Sequence, residues 1–243
     1  MQNKRILITG ASAGIGRVLA LKLAARGNRI VALARNREKL GALVAEFPEI
    51  ETVALDLSDP QALRDFAESG WNGDLDVLIN NAGVQDQHRL VDPACSAAVM
   101  IDEVTTNLTA PIVLTKALLP QLRASQSALV VNLVSALAFA PKDDAACYSA
   151  TKAGLRMFST ALRAQFPRGE LRVLDIFPPL VATAMTEGRG PEIGKGKITA
   201  EQAADAIIDA MDGTRDRALI GTARIIAFLS AIAPKLATRL MSK

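Results

Sequence analysis

Tyr148 is the only tyrosine in the 243-residue chain, and Lys152 follows it by four residues in Tyr148-Ser149-Ala150-Thr151-Lys152. On a helix that spacing stacks the two side chains on one face. A phenol has an ordinary pKa of about 10 and needs help to exchange protons near neutrality. An ammonium about 4 Å away, at an effective dielectric of about 20, supplies roughly 4 kcal/mol, or some three pKa units. The pair is therefore suited to general acid/base work at an oxygen. Alone, a Tyr–Lys pair at this spacing is ordinary helix surface, so other polar groups must converge on it. Ser135 ends the apolar run Leu129–Val134, and Asn80-Asn81-Ala82-Gly83 ends the run Val77–Ile79. Asn107 lies inside a long helical pattern and is followed by Pro111.

A second group of residues is suited to an anion. Thr9-Gly10-Ala11-Ser12-Ala13-Gly14-Ile15-Gly16 stands between a strand pattern and a helical one. Glycines at 10, 14 and 16 let the backbone turn sharply and approach a pyrophosphate. The helix that follows offers unpaired N–H groups and the positive end of its dipole. Such turns also merely join strands to helices, but this one follows the first strand directly, which favours a dinucleotide. Folds that bind NAD usually end their second strand in Asp or Glu, which holds the ribose hydroxyls. Here Ala32-Leu33-Ala34-Arg35-Asn36-Arg37 offers no acid and puts a guanidinium where a 2′-phosphate would lie. Arginine suits bidentate phosphate binding, so the pattern favours NADP(H), with Arg17 and Arg37 as weaker partners for the same group.

These residues need a scaffold that brings them together. Strand patterns run over Arg5–Thr9, Arg29–Ala34, Thr52–Leu55, Val77–Ile79, Leu129–Val134, Val173–Phe177 and Ala218–Ile220. Helical patterns fall between them at Ile15–Arg26, Arg37–Phe47, Gln61–Glu68, Ala98–Arg123, Ala146–Phe166 and Ala200–Met211. The alternation predicts α/β units in a doubly wound, Rossmann-type parallel sheet of about seven strands, with helices on both faces. In such a sheet, ligands bind outside the carboxyl ends of the strands, where Ser135 and Asn81 would stand. No linker or repeat divides residues 1–243, so one domain is expected. Leu180–Ile198, with Gly188, Gly190, Gly194 and Gly196, lacks periodicity and reads as a substrate loop with a short helix at most. Residues 224–241 read as an amphipathic segment interrupted by Pro234.

Composition narrows the remaining classes. With 28 basic and 25 acidic residues the net charge is +3, too little and too scattered to argue for nucleic acid. Half the residues are hydrophobic but only 4% are aromatic, so the core must be built from Ala, Val, Ile and Leu. Two cysteines and a single histidine, His88 in a polar loop, argue against a metal centre or a Ser–His–Asp triad. No signal peptide precedes the first strand and no run of 18 apolar residues occurs, so a cytoplasmic location is the default expectation. Cys147 has no histidine partner and reads as a small packing residue.

Taken together, the motifs at Thr9–Gly16, Asp56, Asn80–Gly83, Asn107, Ser135, Tyr148/Lys152 and Pro178–Thr183 resemble those of the short-chain dehydrogenases/reductases, from Lys4 to about Thr183. The resemblance implies an oxidoreductase that moves hydride between NADP(H) and a carbonyl or secondary alcohol. It implies that Tyr148 is the general acid/base, Ser135 positions the carbonyl oxygen, Lys152 lowers the Tyr148 pKa and binds the nicotinamide ribose, and Asn107 holds a relay water. It also implies cofactor contacts at Gly10, Ser12, Ala13, Gly14, Ile15, Gly16, Asp56, Leu57, Asn81, Ala82, Gly83, Pro178, Val181 and Thr183, beside Arg35, Tyr148 and Lys152. Asn80 would be mainly structural. Two departures stand out. Pro179 replaces a more usual glycine, and Ala13 stands where NADP-preferring relatives often carry a basic residue, which leaves Arg35 most of the 2′-phosphate.

Val84, Leu137, Phe139, Cys147, Pro179 and Met185 are the expected pocket lining, which suits a hydrophobic ketone or aldehyde. The alternative is a nucleotide-binding regulatory module without turnover, but such a protein would be expected to have lost Tyr148 or Lys152. By resemblance, a homo-oligomer is expected, a dimer or tetramer built through the two long helices. For the tail, a subunit contact or a flap over the cleft is favoured over attachment to a membrane surface.

Overall fold

The computed structural model describes residues 1–69, 71–167, 169–187 and 197–242. Gly188, Gly190, Gly194 and Gly196 of the expected substrate loop lie outside the described residues. In chain order the elements are β1 (Arg5–Thr9), α1 (Gly14–Ala25), β2 (Arg29–Ala34), α2 (Arg37–Glu46), β3 (Glu51–Ala54), α3 (Pro60–Ser69) and β4 (Val77–Asn80). Then come α4 (Ala97–Val104), α5 (Ala110–Ala124), β5 (Leu129–Leu133), α6 (Ala146–Gln165) and β6 (Arg172–Phe177). The chain continues through β7 (Val181–Ala182), β8 (Ile198–Thr199), α7 (Ala200–Asp212), β9 (Arg217–Leu219), α8 (Ala223–Ile232) and α9 (Pro234–Met241).

Seven strands form one parallel sheet in the order β3-β2-β1-β4-β5-β6-β9, the expected doubly wound arrangement. The chain moves outward from β1 to β3 and then returns to place β4 beside β1. That reversal opens a crevice at the carboxyl ends of β1 and β4. Successive side chains of β1 point to opposite faces and divide between two cores. Ile6 and Ile8 pack with Leu19 and Leu23 of α1 and Ile207 and Ile208 of α7. Leu7 packs with Leu78, Leu114, Leu118 and Leu122 on the other face.

Three local features differ from the sequence reading. The expected helix 98–123 is α4 and α5 joined by a widened π turn at Thr105–Thr109, in which the Ala110 N–H reaches back to the Thr105 carbonyl. The whole run Ala97–Ala124 is long and apolar enough to cross a membrane, but it lies against the sheet with Leu114, Leu118 and Leu122 buried. In the 180–198 segment, Val181 and Ala182 pair with Ile198 and Thr199 as a two-residue parallel ladder, and Ala184–Thr186 form a 3-10 turn. The tail is two helices rather than one, with Pro234 opening α9, where its missing N–H costs no bond. Their inner residues Ala223, Ile226, Ala237 and Met241 join a third core with Val134, Leu137 and Phe177.

Candidate active site

The cofactor loop is held in place by Thr9 and Asn81. The Thr9 hydroxyl accepts the N–H groups of Asn81 (3.0 Å) and Ala82 (2.9 Å), which ties the end of β1 to the end of β4. The Asn81 amide donates to the Thr9 carbonyl at 2.8 Å. Gly10 has φ +66°, and a Cβ there would stand 2.9 Å from Ala82 Cα. Helix α1 then starts at Gly14 with no side-chain cap from Ala13. Its first N–H groups thus point at open space, a ready anion site.

One cleft is lined by Gly10, Ala13, Gly14 and Ile15, by Asn81–Gly83, by Ser135, Tyr148 and Lys152, and by Pro178, Val181 and Thr183. A second hollow lies at the carboxyl ends of β2 and β3, lined by Arg35, Asn36, Arg37 and Asp56. Arg35 and Asp56 face each other there at 3.9 Å, both well exposed. Arg17 is turned away from both, in an ion pair with Glu46 of α2. Ser12 and Gly16 do not line the cleft. Leu57 is buried in the second core, so only its backbone is available to a ligand.

Lys152 and Tyr148 share one face of α6, with the Lys152 Nζ 5.6 Å from the centre of the Tyr148 ring. Lys152 is buried and donates to the Leu133 carbonyl at 2.9 Å. Burial lowers its pKa from 10.5 to about 8, while the charge of Glu103 acts in the opposite sense. The Ser135 hydroxyl oxygen accepts the Leu137 N–H at 3.1 Å and so caps the 3-10 turn Ala136–Ala138. That bond uses the oxygen and leaves the hydroxyl proton available.

Asn107 lies in the π turn and is buried. Its Oδ1 accepts the Val84 N–H at 2.8 Å and its amide donates to the Val84 carbonyl at 2.7 Å. The side chain is therefore committed to the backbone beyond β4. Pro111, four residues on, has no N–H, so the Asn107 carbonyl lacks the donor an α-helix would supply.

The registration of α6 against the sheet comes from buried amides. Asn80 of β4 donates to Asn132 of β5 at 2.8 Å, and Asn132 donates to Ser159 of α6 at 2.8 Å. The structural part expected of Asn80 is visible here.

Leu137, Pro179 and Met185 line the cleft as expected. Three other expected lining residues do not. Val84 is held by Asn107. Phe139 stacks near Phe177 with ring centres 4.7 Å apart. Cys147 turns toward Glu103 and the Met100 carbonyl, and its pKa rises to about 12 through burial and then that carboxylate. The sequence reading did not include Gln85, Ala136 and Leu180, which do line the cleft. It also missed Glu103, a buried acid one turn before Asn107 that accepts the Asp86 N–H at 3.2 Å. A carboxylate on the inner side of an otherwise apolar helical stripe was the available signal. His88 pairs with Asp86 at 3.0 Å in the loop beyond β4.

The chain is similar to known proteins. The chain is 35% identical over 190 residues to the oxidoreductase DltE of Bacillus subtilis, covering 77% of this chain and 75% of that protein. It is 35% identical over 185 residues to the NADP-dependent 3-hydroxy acid dehydrogenase YdfG of Salmonella typhi, covering 72% of each. A short-chain dehydrogenase from Burkholderia cenocepacia J2315, solved in complex with NADP, superposes with a TM-score of 0.85 at 26% identity, over 100% of this chain and 99% of that one. Residues 4–193 match the model of the short chain dehydrogenases. With glycine loop, serine, tyrosine and lysine meeting at the switch point of the sheet, the chain belongs to the short-chain dehydrogenase family.

Proposed function

We propose that the protein transfers hydride reversibly between NADP(H) and the carbonyl or secondary alcohol of a small apolar molecule. The observation that carries this reading is the meeting of Tyr148, Ser135 and Lys152 in the cleft that also contains the glycine cradle. The residues fit the cofactor. The uncapped start of α1 and the space that a Cβ on Gly10 would fill suit a pyrophosphate. Arg35, with Arg37 beside it, would hold the 2′-phosphate, and Asp56 with the Leu57 backbone would meet the adenine. Asn81, Ala82 and Gly83 would form the wall beside the adenosine ribose, with Pro178, Val181 and Thr183 at the nicotinamide end. NADPH, when bound, supplies the hydride. The NADP-dependent Salmonella relative and the NADP-bound Burkholderia structure support the same choice of cofactor.

The chain's own part is to place and move a proton. Ser135 donates its free hydroxyl proton to the substrate oxygen and fixes its position. Tyr148 gives its phenolic proton to that oxygen as negative charge develops there. Lys152, positively charged below about pH 8, stabilises the phenolate left behind and has N–H groups to spare for ribose hydroxyls. The proton returns through water, for which Asn107 offers its main-chain carbonyl rather than its committed side chain. Retention of Tyr148 and Lys152 speaks for turnover over a purely regulatory role.

The substrate side of the cleft is walled by Ala136, Leu137, Pro179, Leu180 and Met185. Among the described residues lining it, Lys152 is the sole cation, and it is buried against Leu133. An apolar ketone or aldehyde suits this wall better than a carboxylate-bearing one. Self-association would use the outer faces of α4 and α6, where Ile101, Val104 and Met157 are exposed.

Fluorescence titration with NADPH and NADH, for wild type and Arg35→Ala, tests the cofactor. NADPH is expected to bind at least tenfold more tightly, and the substitution to abolish the difference. Equal binding of both nucleotides by the wild type would overturn the assignment. A ketone screen with NADPH then tests the substrate class, and turnover confined to keto acids would overturn the apolar reading.

A further inference from the structure

The outer face of the C-terminal helix pair has a composition that the cleft does not explain. Ile225, Phe228, Ile232 and Leu236 are 52%, 63%, 64% and 48% exposed. Ile225, Phe228 and Ile232, three to four residues apart, form a stripe along one face of α8, and Leu236 is exposed on α9 beyond the break at Ala233. Arg224 stands exposed at one end of the stripe, and Lys235 and Arg239 at the other. From Arg217 to Lys243 the sequence has five basic residues and no acidic one. The inner side is anchored by Ala223, Ile226, Ala237 and Met241 in the core, so the apolar stripe belongs to a helix pair already docked on the protein body.

We propose that this stripe seats the protein on an anionic lipid surface. A raised apolar strip with basic residues at its ends matches an interfacial helix, whose apolar side chains enter the acyl boundary while lysine and arginine reach headgroup phosphates. A second copy fits less well. A twofold contact sets a patch against itself and would bring like charges together, with no carboxylate in the segment to separate them. The inner side of α8 packs on the 3-10 turn that follows Ser135, which ties the helix pair to the substrate wall. Binding to lipid does not depend on the proposed reaction.

The test is co-sedimentation of the full chain with phosphatidylglycerol/phosphatidylcholine vesicles and with pure phosphatidylcholine vesicles, beside analytical ultracentrifugation without lipid. Wild type is expected to partition at least tenfold more onto the anionic vesicles and to be released by 0.5 M salt. Ile225→Ser/Phe228→Ser/Ile232→Ser is expected to lose that partition while keeping nucleotide affinity and sedimentation coefficient. Arg224→Gln/Lys235→Gln/Arg239→Gln is expected to bind both vesicle types equally weakly. Wild type that ignores both vesicle types overturns the proposal whatever the variants do. A serine variant that dissociates from a larger species to a smaller one would assign the stripe to a second copy instead, and capture by an acidic polypeptide but not by lipid would assign it to a protein partner.

Discussion

Gly16 sits so close to Asn81 that a Cβ on Gly16 would lie 2.4 Å from the Asn81 amide nitrogen and 2.4 Å from the Gly10 carbonyl oxygen. The loop after β1 and the loop after β4 are in contact at this point, and one of the opposing atoms is backbone that cannot swing aside. Gly16→Ala must push the two loops apart. The expected cost is roughly 1–3 kcal/mol of stability, typical of overpacking, with at least a tenfold loss of nucleotide affinity. Thermal melts and nucleotide titration check it, and an alanine variant that binds like wild type would contradict the close contact.

Lys152 is retained at a cost. Its folded-state pKa of about 8 lies below its ordinary 10.5. Between those values the unfolded chain binds more protons than the folded one, so stability contributed by this group rises with pH across the window. Below pH 8 the full penalty applies, about 3 kcal/mol from the size of the shift. Lys152→Met is therefore expected to melt several degrees higher than wild type at pH 7, with the gap closing toward pH 10, while turnover is lost. In the wild type, carbonyl reduction is expected to decline above pH 8 as the ammonium disappears. A variant that melts lower than wild type by the same amount at every pH would refute this account.

The Cys147 thiol, held near pKa 12 beside Glu103, should be inert. With an aromatic disulfide reagent at pH 8, the folded protein is expected to yield at most one thiol, that of Cys95, and the second only after denaturation. Rapid release of two equivalents would show that Cys147 is accessible as thiolate.

Asn132 bonds to both Asn80 and Ser159. Asn132→Leu removes one bond from each partner, leaving Asn80 only a long 3.5 Å bond to Thr115 and Ser159 its bond to the Leu155 carbonyl, at an expected cost of about 1–3 kcal/mol. Urea denaturation measures it. Because the network registers α6, kcat is also expected to fall more than nucleotide affinity. Stability within about 0.5 kcal/mol of wild type would show the network to be dispensable.

The large parts of this fold were legible because they obey simple periods. The five inner strands are buried runs rich in Val, Ile and Leu, the edge strands β3 and β9 are short and more exposed, and each of the seven was found to within two residues. Tyr148, Lys152, Ser135 and Gly10 were legible because their chemistry is unusual at their spacing, and the sheet brings them to one cleft. The π turn at Thr105–Thr109 was not legible, since the whole run Ala97–Ala124 is apolar enough to read as one helix whatever the phase of its stripe. Pro111 was its visible trace. Phe139 and Cys147 were expected in the pocket lining, and both lie close in sequence to Ser135 and Tyr148. Neighbours along a chain point in different directions, and these two found better partners in Phe177 and Glu103. The pairing of Val181 with Ile198 joins residues seventeen positions apart through only two residues each, too short to leave a pattern.

The cleft has a consequence for how the protein matures. A Cβ on Gly14 would stand 3.1 Å from Thr183, so the first and last walls of the cofactor site touch although 169 residues separate them. Every pairing in the main sheet is parallel and needs a long crossover, so these contacts close late and slowly. A chain emerging from the ribosome can complete its glycine loop early, but it has no closed nucleotide pocket until β6 and the segment through Thr183 have joined the sheet. Nucleotide should therefore act as a check on completion: it holds the finished protein and gives little help to chains truncated before Thr183.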